Sequence, residues 1–190
     1  MNPCLVSIIG VGVQFADGLT AYNLRLRCSV SCLLIEGGIM KEKIAIILGS
    51  KSDFKELNEA FSVLDSLKIK YRLEVISAHR NPEKLRDLCK KLEGQGVEVV
   101  IACAGLAAAL PGFVASYVNI PVIGVAMKGG LMDGLDALFS MVSIPKGLGL
   151  ASTGIGKSAF LNASILSLEI LALKDKKYLS RLKSLKDKFK

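Results

Sequence analysis

From Ile44 onward the chain repeats one unit: a short apolar run, a turn of small or polar residues, then apolar residues at helical spacing. Ile44-Ala45-Ile46-Ile47-Leu48 has no polar position, so it reads as a strand buried on both faces rather than one with a side in water. Gly49-Ser50 ends it, Ser52-Asp53 supplies capping side chains, and Leu57, Ala60, Phe61, Leu64 and Leu67 form the stripe of the helix that follows. Further strands are expected at residues 73–76, 97–102, 121–125 and 149–153. Pro82 opens a helix with the stripe Leu85, Leu88, Cys89 and Leu92, and a long apolar helix is expected over residues 162–173. Short buried strands alternating with helices specify an α/β fold, a three-layer α/β/α sandwich around a parallel sheet. In such sheets ligands gather outside the carboxyl ends of the strands, so the chemistry is to be sought in those loops.

The two ends of the chain depart from this pattern. Residues 1–39 sustain neither period, and glycines at 10, 12, 18, 37 and 38 interrupt their apolar pieces. They lack the basic stretch, compact apolar core and small-residue cleavage site of a signal peptide. They are expected to be a disordered extension, or to lie ahead of the true start at Met40, with the catalytic domain at 40–173. Residues 174–190 form a basic amphipathic helix with Tyr178, Leu179, Leu182, Leu185 and Phe189 at helical spacing. We expect it to pack its stripe on its own domain or, as the reading adopted here, on a neighbouring subunit.

Charge and cysteine usage then exclude several classes. The formal charge is +8, which would suit a nucleic-acid binder if it were spread over a face. Eight Lys or Arg against two Asp in residues 174–190 account for a surplus of six, so the catalytic domain itself is nearly balanced. With no Trp and 6% aromatic residues there is little material for stacking bases. Five cysteines, without a CxxC pair and with a single histidine, argue against both a disulfide framework and a zinc site. No run reaches the roughly 18 consecutive apolar residues of a membrane span. A cytoplasmic protein without nucleic-acid or membrane partners is the expectation.

Three loops carry candidate chemistry. Gly49-Ser50-Lys51-Ser52-Asp53 joins a small floor residue, two hydroxyls and a carboxylate to a helix N-terminus, a setting for phosphate and ribose oxygens. Ordinary capping explains Ser50, Ser52 and Asp53 equally well. Ser77-Ala78-His79-Arg80-Asn81-Pro82 follows the second strand and places the only histidine, a group that exchanges protons near neutral pH, beside an arginine suited to phosphate. A structural histidine remains open on these residues alone. The run from Ala102 to Gly112, including Gly105, Leu106, Ala107 and Ala108, leaves backbone N–H groups accessible to a planar ring or a small carboxylate, or else serves close helix–sheet packing.

In this order and spacing the loops resemble the carboxyaminoimidazole ribonucleotide mutase family, the catalytic protein of phosphoribosylaminoimidazole carboxylase in purine biosynthesis. The resemblance spans residues 43–173. It rests on Gly-Ser-x-Ser-Asp at 49–53, Ser-Ala-His-Arg at 77–80, Ala-Gly-x-Ala-Ala-x-Leu-Pro-Gly at 104–112, Pro-Val-Ile-Gly-Val at 121–125, Gly-Leu-Asp-Ala-Leu at 134–138, and Asn162-Ala163. It implies a flavodoxin-like sandwich, a homo-octamer with active sites at subunit contacts, and a reaction without metal or organic cofactor. It assigns Ser50 and Arg80 to the 5′-phosphate, Asp53 to the ribose and His79 to general acid–base work. Ser52 and Ser77 join the substrate-binding set, and the backbone at Gly105, Leu106, Ala107 and Ala108 lines the pocket for the imidazole and the migrating carboxyl.

The resemblance also implies the activity: conversion of 5-carboxyamino- to 4-carboxy-aminoimidazole ribonucleotide. Many bacterial members carry a second histidine where this chain has Ala109, a glycine where it has Leu106, and Gln-Met-Pro where it has Ser143-Ile144-Pro145. The rival within the family is the carboxylase that takes carbon dioxide directly, which usually has lysine at the position of Arg80. The rival of another class is a non-catalytic nucleotide- or flavin-binding module of flavodoxin-like fold.

Overall fold

Strand β1 (Ile44–Leu48) is buried at all five positions, as its unbroken apolar run demands. Its pleat sends Ile44, Ile46 and Leu48 into one core and Ala45 and Ile47 into another on the opposite face. This computed structural model describes residues 42–190, so the expectation for residues 1–39 lies outside the described part. Strands β2 (Tyr71–Val75) and β3 (Val99–Ala104) pair with β1 on either side, and β4 (Val122–Ala126) and β5 (Ala151–Ile155) continue beyond β3. All pairs are parallel, in the order β2-β1-β3-β4-β5. This is the flavodoxin-like winding, whose direction reverses at the crevice between β1 and β3.

Helices cover both faces. Helices α1 (Lys51–Glu56), α2 (Asn58–Ser66), α6 (Gly156–Lys174) and α7 (Tyr178–Asp187) lie on one, and α3 (Pro82–Gly94), α4 (Ala109–Tyr117) and α5 (Leu135–Val142) on the other. Phe61 ties the first layer together, its ring centroid 5.4 Å from Phe54, 5.6 Å from Tyr71 and 5.1 Å from Phe160. Helix α6 reaches membrane-spanning length with a mean hydropathy of 1.2. Its apolarity has another use: Phe160, Ala163, Leu168 and Leu171 are buried in the core.

The elements match the expectations in kind and shift at their edges. Strand β2 begins two residues earlier than expected because its register is set by pairing, Ile44 with Tyr71 through Leu48 with Val75, and not by its own mixed sequence. The helix after β1 is two helices meeting at Leu57, which is fully buried. Helix α6 starts at Gly156 rather than at 162. Helices α4 and α5 were not legible: Pro111 and Gly112 mask α4, although a proline is tolerated in a first helical turn. On α7, Tyr178 and Leu185 are buried against this chain's own core, whereas Leu179 and the following Phe189 are about half exposed.

Candidate active site

The turn after β1 is set by a reciprocal cap. The Ser50 backbone N–H donates to Asp53 Oδ2 at 2.8 Å, and the Ser50 hydroxyl accepts from the Asp53 N–H at 3.4 Å. Gly49 N–H donates to the Cys103 carbonyl at 2.9 Å, which stitches this loop to the end of β3. A methyl group at Gly49 would meet only ordinary contacts, the nearest at 3.5 Å, so the missing side chain leaves floor space and relieves no clash. The Ser52 hydroxyl lies in hydrogen-bond contact with that of Ser50.

The loop after β2 turns tightly. Ile76 N–H donates to the Leu48 carbonyl at 2.8 Å, Asn81 N–H to the Ser77 carbonyl at 2.9 Å, and Pro82 begins α3. His79 and Arg80 are both exposed between these anchors, with the Arg80 N–H 3.4 Å from the Ser77 hydroxyl. After β3 the chain enters α4 through two non-glycine residues in left-handed conformation, Leu106 at φ 54° and Ala108 at φ 30°. Ala108 N–H donates back to the Gly105 carbonyl at 3.2 Å. Such conformations cost about 1–2 kcal/mol each for residues with a Cβ, strain of the kind that collects where a loop is shaped for a ligand.

These loops enclose one cavity of about 940 Å³. Every residue singled out from the sequence lines it: Ser50, Ser52 and Asp53 from the first loop, Ser77, His79 and Arg80 from the second, Gly105, Leu106, Ala107 and Ala108 from the third. Its position over the carboxyl ends of β1, β2 and β3 is where this topology places ligands. The sequence reading missed Lys128, which also lines it just past the end of β4. No motif marks Lys128, yet the strand-end rule could have found it.

Burial and neighbouring charges act differently on the acidic and thiol groups at this edge of the sheet. Asp53 is 8% exposed; burial raises its carboxyl above the ordinary range, while the Ser50 hydroxyl and the Ser50 and Gly49 N–H groups draw it back. Behind it the carboxyl of Glu56 is raised by burial and by the charge of Asp53, and lowered by Lys128. The fully buried Cys103 thiol is pushed well up by burial and by the same two carboxylates, so it offers no nucleophile at neutral pH. His79 is exposed, lines the same cavity, and sits beside the guanidinium-bearing Arg80.

The model of the AIR carboxylase family matches residues 43–190. The chain is 40% identical over 145 residues to the N5-carboxyaminoimidazole ribonucleotide mutase of Haemophilus influenzae, covering 76% of this chain and 88% of that one. It is 43% identical over 148 residues to the mutase of the same name from Pyrococcus abyssi, with 78% and 84% covered. The crystal structure of Treponema denticola PurE superposes with a TM-score of 0.66 at 28% identity, covering 76% of this chain and 89% of that one.

Proposed function

The chain belongs to the AIR carboxylase family, and we propose that within it the protein is the mutase that moves the carboxyl group of 5-carboxyaminoimidazole ribonucleotide from the exocyclic nitrogen to ring carbon 4, in purine biosynthesis. The observation that carries this reading is the agreement of relatives named for that mutase with a cavity lined by His79, Arg80 and the small-residue loop after β3.

The residues take the following parts. Arg80, Ser50 and Ser77 hold the 5′-phosphate, with the N-terminal turns of α1 and α3 adding favourable dipoles. Asp53, with Ser52 beside it, accepts from the ribose hydroxyls. The peptide groups of Gly105, Leu106, Ala107 and Ala108 enclose the imidazole and the carbon dioxide that forms beside it. His79 gives a proton to the exocyclic nitrogen as the nitrogen–carboxyl bond breaks. Ring carbon 4 then attacks the trapped carbon dioxide, and His79 recovers a proton from that carbon as the ring regains its aromaticity. The proton count closes on one imidazole, and confinement supplies the effective concentration that free carbon dioxide would lack.

We place the enzyme in the cytoplasm as a homo-octamer whose active sites lie at subunit contacts. Phe139 and Val142, three residues apart on α5 and each more than half exposed, are apolar surface suited to such a contact. The outer side of α7, with Leu179, would meet a neighbouring subunit while Tyr178 and Leu185 stay in this chain's core.

Rates measured with the synthetic carbamate, and with aminoimidazole ribonucleotide plus bicarbonate, test the assignment. The carbamate is expected to react far faster, and a large preference for the second pair would make the protein the direct carboxylase. His79→Asn is expected to lower kcat by about 10²- to 10⁴-fold; an unchanged kcat would remove His79 from the proton transfer, and nucleotide binding without turnover by the wild-type protein would leave only a nucleotide-binding module.

A further inference from the structure

Lys128 has no part in the chemistry above, yet it lines the cavity and is one of three permanently cationic residues that do, with Lys51 and Arg80. The sheet order separates these groups. Arg80 follows β2 and Lys128 follows β4, on opposite flanks of β1 and β3. Three strand spacings, about 14 Å, lie between those flanks, comparable with an extended ribonucleotide from its phosphate to the far edge of its base. A phosphate held on the Arg80 side therefore leaves the base toward β4.

The backbone of Lys128 abuts the loop that walls the base: a Cβ built on Gly105 would lie 3.6 Å from the Lys128 carbonyl oxygen. Its ammonium is only loosely engaged. The nearest acid is Asp133 Oδ2 at 3.8 Å, and the two side chains are 60% and 68% exposed, a pair of little strength in water. Its stem runs beside Gly156, where a Cβ would meet both Lys128 Cε at 3.4 Å and Glu56 Oε1 at 3.6 Å. Glu56 Oε1 is buried without a hydrogen-bond partner, and its carboxyl, raised by burial and drawn back down by the Lys128 charge, lies beside the same glycine as the lysine stem.

We infer that Lys128 is a substrate-binding residue whose ammonium receives the carboxylate borne by the aminoimidazole ring, the group that distinguishes the carboxylated nucleotide from its decarboxylated counterpart. The inference rests on the mutase reading. A carboxylate suits a single mobile ammonium; a phosphate dianion needs the several donors gathered at the opposite flank.

The test compares binding of 4-carboxy-aminoimidazole ribonucleotide and of aminoimidazole ribonucleotide by calorimetry, in the wild-type protein, Lys128→Gln, Lys128→Arg and Arg80→Gln. Lys128→Gln is expected to weaken the carboxylated nucleotide about tenfold or more and to leave the decarboxylated one within about twofold. Lys128→Arg should recover most of the loss, and Arg80→Gln should weaken both ligands alike. Equal weakening of both nucleotides by Lys128→Gln, or weakening of neither, overturns the inference. A wild-type protein that binds neither nucleotide overturns the mutase reading itself. Because the Lys128 side chain is largely in solvent, the glutamine variant should fold, and its circular dichroism spectrum should match that of the wild-type protein.

Discussion

Leu106 shows how one residue can be legible in type and illegible in consequence. The sequence places it in a loop of tiny residues, but only the backbone reveals a φ of 54° with the side chain 66% exposed. The left-handed conformation costs about 1–2 kcal/mol for a residue with a Cβ, whereas a glycine would cost about 0.5–1 kcal/mol in chain entropy. Leu106→Gly is therefore expected to raise unfolding free energy by up to about 1 kcal/mol, measured by urea titration; a clear loss would mean that the exposed leucine makes contacts outside this chain. Ser50 allows its two readings, cap and ligand, to be separated. Its hydroxyl accepts at 3.4 Å, a long bond, so Ser50→Ala should cost only about 0.5 kcal/mol, at the low end for caps. A fall in substrate affinity of tenfold or more beside that small loss marks a binding role, while equal and small changes mark a cap. The histidine and arginine at 79 and 80 were visible as a pair from the sequence. Their exposure into one shared cavity was not, because exposure depends on where β1 and β3 place the opposite wall.

The connection from β4 to α5 governs the far side of the site. Gly129, Gly130, Met132, Asp133 and Gly134 all have positive φ, a density of left-handed backbone that ties the end of β4 to the start of α5. Gly134 is where an added side chain would meet main chain: its φ is 105°, and a Cβ there would lie 2.7 Å from the Met127 carbonyl oxygen. Gly134→Ala combines a disfavoured backbone with a clash against main chain that cannot swing away. Its expected cost exceeds about 2 kcal/mol, seen as a lower thermal midpoint, and the displaced end of β4 should also reduce activity through Lys128. A variant with unchanged stability would show that this turn is loosely held. The sequence signalled the strands and the amphipathic helices because their periodicity is local. It hid α4, whose first turn contains proline, and α5, which follows a turn of left-handed residues with no simple composition signal.

At the scale of the whole molecule, apolar surface exceeds what one chain covers. Phe139 and Val142 on α5 are 57% and 58% exposed, and Leu173 at the end of α6 is 87% exposed. If the protein is the proposed octamer and α5 is one of its subunit contacts, Phe139→Glu should shift the mass measured by analytical ultracentrifugation to smaller species at unchanged secondary structure. A variant that keeps the full mass would move the contact elsewhere. The α/β layering, the parallel sheet and the three loops that carry the candidate site residues were determined by the sequence alone, since wholly apolar runs such as those of β1 and β4, set between helical stripes, admit few other arrangements. Tertiary structure alone decided that these loops, spread over some sixty residues, close on one cavity, and that Lys128 joins it from β4. The reason is geometric: parallel winding brings the carboxyl ends of strands distant in sequence to one edge of the sheet, and no local pattern encodes which side chains then face one another there.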